Sequence, residues 1–137
     1  MPAFVTFGRV LFAVLFMYTG ATKLFAVQQT ADFIATKVTI PAILAPYASQ
    51  IETMAGMPMP QILALAVGGF EILAGLMIAV NFGARFFAVL LIIFVLAATF
   101  YFHDFWNQAA PENARTLIDA LKNLSIVGAL FMIVGNG

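Results

Sequence analysis

Cysteine is absent from all 137 residues, and charge is scarce: six basic and six acidic side chains account for 9% of the chain, alongside one histidine. Without cysteine there is no disulfide, no thiol redox chemistry and no thiolate metal site. One histidine and scattered acids form no recognisable ligand cluster, so no metal is expected. Balanced charges leave no basic patch for nucleic acid. The missing cysteine does not tell which compartment the loops face.

What fills the chain instead is apolar: hydrophobic residues make up 64% of it. A soluble domain is typically about half apolar and about a quarter charged. A fold of this size, which fits one domain, could not hide so much apolar surface from water, so lipid must be the solvent for much of its length. A membrane-crossing helix needs ~20 mostly apolar residues, and four runs qualify, at about 3–22, 62–80, 85–102 and 117–134. Phe, with 15 copies, suits positions that face lipid. The expected fold is all-α: a four-helix transmembrane bundle forming a single membrane domain, multi-pass in the cell's inner or plasma membrane. The first run, with Arg9 before an apolar core, has some features of a signal peptide. Lys23 follows it at once and no small-x-small cleavage site precedes it, so it reads as a span.

The connections differ in kind. "NFGAR" joins the second and third spans so tightly that they must be antiparallel neighbours. "HDFWNQAAPENAR" joins the third to the fourth, with Tyr101 and Trp106 suited to an interfacial aromatic belt and Pro111 suited to the first position of the last helix. The first loop, 23–60, is long and not very polar. Phe33, Ile34 and Lys37 are expected on one face of a short helix there, and Ile43, Leu44, Tyr47 and Ile51 on one face of another. Both read as interfacial or re-entrant segments, limited to a few turns by Pro41, Pro46, Pro58 and Pro60. Basic residues are nearly even on the two sides, so they set no orientation.

Within the spans the polar residues are few and informative. In "GGFEILAGLMIAV", Glu71 stands mid-span, where an ionised side chain costs ~2.5–3.5 kcal/mol on insertion scales. Ala64, Gly68, Glu71, Gly75 and Ala79 recur at helical spacing, and small residues mark a face where another helix approaches. Glu71 is therefore expected to face inward. Arg9, Ala13, Phe16, Gly20 and Lys23 form a second stripe, and Arg85, Val89, Ile92, Leu96, Thr99, His103 and Trp106 a third. Asp119, Lys122 and Asn123 enter the last span together. Glu71 is expected to pair with Arg9 or Lys122, with Lys23, His103 and Asn123 lining the entrance. Two readings stay open: a structural staple for helices with no hydrophobic drive to associate in lipid, or a polar site able to move a proton or hold a quinone or anionic head group. His103 reads first as an interfacial cap on the third helix, and Asp119 with Lys122 as a helix-surface pair.

These segments together resemble the DoxX family of small bacterial and archaeal membrane proteins. The resemblance rests on "GRVLFAVLFMYTGATKLF", "GMPMP", "GGFEILAGLMIAVNFGAR", "FHDFW" and "LKNLSIVGAL". It is carried by the ordered set Arg9, Gly20, Lys23, Glu71, Gly75, Arg85, His103, Phe105, Trp106, Lys122, Asn123 and Gly128; "NFG" before Arg85 is less typical. It implies a four-helix membrane bundle and, loosely, redox work: some relatives are subunits of a thiosulfate:quinone oxidoreductase, others membrane partners of soluble redox enzymes. The leading expectation is thus a subunit or partner in quinone-linked redox chemistry. Arg9, Lys23, Glu71, His103, Lys122 and Asn123 would be its quinone-binding residues, with Glu71 the best catalytic candidate. A quinone is the expected cofactor and nothing is bound covalently. The alternatives are a non-catalytic scaffold for a soluble redox enzyme and a small proton-coupled transporter. Expected partners are the bilayer, a soluble redox enzyme and further copies of the chain.

Overall fold

The computed structural model describes residues 2–136, with the backbone alone at Asn136. The described residues are helical apart from turns and short links. Helix α1 spans Pro2–Phe25, α2 Val27–Lys37, α3 Ala45–Ala55, α4 Met59–Ala79, α5 Ala84–Phe102 and α6 Glu112–Asn136, with single 3-10 turns at Ala42–Leu44 and Phe105–Asn107. Of these, α1, α4, α5 and α6 are long and apolar enough to cross a membrane. The all-α class and its four long apolar helices are as the composition requires. Each of these helices starts before its hydrophobic run, α6 by five residues: the polar turn "ENART" is helical, and Pro111 precedes the helix instead of opening it.

The chain divides into two compact parts. One comprises Val14–Leu73, holding the second half of α1, all of α2 and α3, and most of α4. Here α1 meets α4 backbone to backbone at Gly20 and Gly68. A Cβ on Gly20 would lie 2.6 Å from the Gly68 carbonyl oxygen and 2.8 Å from Ile72 Cγ1, and one on Gly68 would lie 3.0 Å from the Gly20 carbonyl oxygen. Only glycine permits this approach, as small residues do where two helices in a membrane come close. The long first loop is largely helix. Ala31 and Ile34 bury one side of α2, and Ala48 one side of α3. Phe33, expected beside Ile34, is instead 53% exposed, because successive helical residues point about 100° apart. Gly56, with φ of 72°, closes α3 in the left-handed region that favours glycine. Glu52 then turns its carboxylate to the start of α4, where the Met59 backbone N–H donates to Oε2 at 3.1 Å. Gln61 ties α4 to α2 by donating to Gln28 Oε1 at 2.6 Å.

The other part comprises Met1–Ala13 with Ala74–Gly137. Here α4 ends in a Schellman turn: Phe82 N–H bonds the Met77 carbonyl at 2.9 Å and Asn81 N–H that of Ile78 at 3.2 Å, with Asn81 at φ 58°. Gly83, also left-handed, leads into α5. Helices α5 and α6 pack along their lengths. The buried face of α5 is Ala84, Ala88, Leu91, Ile92 and Val95. That corrects the third stripe: Arg85, Val89 and Leu96 are exposed, while Ile92 is buried and Thr99 part-buried. In a span of almost uniform hydrophobicity the alternation of polar and apolar carries no phase, and the two small residues, Ala84 and Ala88, were the better guide. On α6 the inward residues are Thr116, Ala120, Asn123, Val127 and Leu130, whereas Asp119 and Lys122 are exposed.

Asn123 binds these two helices. Its Nδ2 donates to Thr99 Oγ1 at 3.0 Å, and that hydroxyl donates to the Val95 carbonyl at 2.7 Å. Interhelical hydrogen bonds of this kind are worth about 0.6 kcal/mol on average and up to about 1.7 in membranes. Asn123→Ala is therefore expected to lower unfolding free energy in detergent by about 1 kcal/mol. Asn123→Asp, which can still accept from the Thr99 hydroxyl only if that hydroxyl leaves Val95, should not restore it. An Asn123→Ala protein as stable as the parent would show that this chain of bonds contributes nothing.

Candidate functional site

Glu71 is the buried charged residue at the centre of α4, and its side chain is only 4% exposed. Its place follows from the glycine contact. Gly68 is one turn earlier on the same stripe, so where α1 touches Gly68, Glu71 is carried onto α1 as well. Two α1 residues four apart receive it. Thr19 Oγ1 donates to Oε2 at 2.8 Å. Lys23 Nζ donates to both carboxylate oxygens at 3.1 Å and lies 3.5 Å from the Thr19 carbonyl oxygen. The ammonium's three hydrogens thus have three acceptors. The Lys23 side chain is 30% exposed, so the clasp is closed on the glutamate side and open on the lysine side.

The cation on Glu71 is Lys23, where the sequence pointed to Arg9 or Lys122. Depth along each span was the basis for that expectation, and it failed because the contact is set by where the glycines let the helices meet. Thr19 was missed altogether. Its signal was available: it lies one turn before Lys23, a hydroxyl within an apolar span, on the side that faces Glu71. The remaining expected residues have other surroundings. Arg9 Nη2 donates to Thr6 Oγ1 at 3.4 Å, while its Nε is buried without a partner among the described residues. His103 is the C-cap of α5, its N–H donating to the Thr99 carbonyl at 3.0 Å. Next to it, Phe100, Phe105 and Trp106 form an aromatic cluster with ring centroids 5.1–5.7 Å apart. Asn123 is committed to Thr99, and Lys122 is exposed.

A family model described as DoxX matches residues 4–104, which take in α1 through α5 and both sides of the clasp. The chain belongs to the DoxX family. This DoxX protein is also 24% identical over 136 residues to the inner membrane protein YphA of Escherichia coli K12, a match covering 99% of this chain and 84% of that one. No solved structure matches it. With four helices able to span a bilayer, this DoxX protein is a multi-pass integral protein of the inner membrane. Its last helix, α6, lies beyond the family match.

Proposed function

We propose that this DoxX protein serves quinone-linked redox chemistry as a membrane subunit or partner, with the Glu71–Lys23–Thr19 clasp as its polar centre. One observation carries the reading. A carboxylate closed off from solvent is held by an ammonium that is not. Lys23, part-exposed, can exchange its long 3.5 Å contact with the Thr19 carbonyl for a carbonyl oxygen arriving from the lipid side, and Glu71 stands beside it to give or take a proton. A quinone bound there would supply the electron carrier, since this chain has no cysteine and a single histidine to hold one of its own. Titrating a quinone analogue into purified protein in lipid nanodiscs should give saturable binding, weakened about tenfold or more by Lys23→Ala, as loss of a charged donor predicts. Saturable binding by neither the parent nor a folded variant would defeat the proposal.

A second reading is favoured by the saturation of the ammonium. With every donor matched, the clasp needs no ligand, and the protein is a scaffold for a soluble redox enzyme. The surface for it is the first loop, where Ile43, Tyr47, Ile51 and Met54 recur at helical spacing and are all 46–87% exposed. That stripe equally suits a helix lying in the headgroup region. Deleting 32–53 should abolish recovery of the enzyme under the scaffold reading, and leave quinone binding to be lost only through the clasp under the first.

A further inference from the structure

Helix α6 carries two charges that the fold leaves outside. Asp119 and Lys122 are both exposed, and among the described residues neither has an ion-pair or hydrogen-bond partner. They do not pair with each other, although three residues apart on one helix. Depth makes this costly. The helix has 25 residues, about 37 Å of length, against a hydrocarbon layer about 30 Å thick. With the layer centred on the apolar run 117–134, Lys122 is three to four residues from the midpoint, about 5 Å from the midplane. From there a lysine stem cannot carry its ammonium to the headgroups. A charge facing acyl chains at that depth is stabilised by an opposite charge, which another molecule can supply.

A second copy of this chain supplies that charge at the right height. In a parallel pair related by a two-fold axis along the membrane normal, the same face meets itself. Helical side chains lean toward the N-terminus, which brings Lys122 of each copy down to the level of the other's Asp119, about 4.5 Å below. Two ion pairs form and no charge is left over. Toward the C-terminal end of the same face, Ser125 and Ala129 are four apart and small, exposed and half-exposed respectively, which lets two helices approach closely. The Ser125 hydroxyl already bonds the Leu121 carbonyl at 3.2 Å, so it asks nothing of the partner. We infer that α6 is the seam of a homodimer, locked by reciprocal Asp119–Lys122 pairs between two copies. The seam is independent of the quinone reading.

Because the chain has no cysteine, a single introduced one reports contact between copies directly. Ser125→Cys, oxidised in native membranes, should form disulfide-linked dimers about tenfold more than Phe131→Cys on another exposed face of the helix, given the close approach a disulfide demands. Adding Lys122→Glu to Ser125→Cys should lower the yield about tenfold, and adding Asp119→Lys to that pair should restore it. Equal cross-linking at both positions, or none at Ser125→Cys, would overturn the seam. So would a yield indifferent to Lys122→Glu, since the contact would then form without the charges. Should Lys122→Glu fail to accumulate, the comparison of the two cysteine variants alone still decides.

Discussion

Replacing Gly20 by valine is expected to part α1 from α4 and unmake the Glu71 clasp in one step. The Cβ would sit 2.6 Å from a backbone oxygen, and a backbone cannot turn aside as a side chain can. Even Gly20→Ala should lower stability in detergent by about 1–3 kcal/mol, the usual cost of forcing extra atoms into a packed contact, and valine should cost more. Gly68→Ala is milder, since the nearest atom, Leu24 Cδ2 at 2.9 Å, ends a flexible side chain. Gly69 supplies the control. It is a helical neighbour with nothing within 4 Å of its Cβ position, so Gly69→Ala should gain about 0.5–1 kcal/mol from reduced backbone freedom. If unfolding measurements place Gly20→Ala beside Gly69→Ala, the helices do not meet as described.

Removing either half of the clasp should have unequal effects. Lys23→Ala leaves a carboxylate buried with only Thr19 to hold it. Breaking a buried pair by removing one partner costs about 3–5 kcal/mol. The exposure of Lys23, 30% of its side chain, places this case toward the lower end, because solvent already screens part of the attraction. Glu71→Ala strands a lysine that can turn outward, and should cost less. The double variant Lys23→Met, Glu71→Leu removes both charges and fills similar volume, so most of the stability should return. That variant also separates the two readings of function. A fully stable double variant that has lost quinone binding marks the clasp as a site, and one that retains every property of the parent marks it as a staple. A double variant no more stable than Lys23→Ala would mean that the pair is not what the carboxylate needs.

Much of this architecture was legible from particular residues. The scarcity of charge required lipid, and four apolar runs required four spanning helices. Glu71 was expected to face inward because Gly68 and Gly75 flank it at helical spacing, and both are buried with it. The α1 stripe held too, with Ala13, Phe16 and Gly20 buried. On α5 and α6 the reading failed for one physical reason. Arg85 on its stripe and Lys122 as a partner of Glu71 were expected to point inward, yet both point out, beside Asp119, which is at the surface as expected. Where a protein self-associates, an outward charge can be satisfied by another molecule, and no intrachain rule predicts it.

Pattern along the chain determined what each helix is: its length, its solvent and, where small residues punctuate it, its packing face. Those properties depend on residues within a few turns of one another, and periodicity records them directly. Which cation reaches Glu71, and that Thr19 joins it, was decided by tertiary structure alone. The choice depends on how far α1 slides along α4 before two backbones touch. That offset is set by the Gly20–Gly68 contact between residues 48 apart, and no spacing within either helix encodes it.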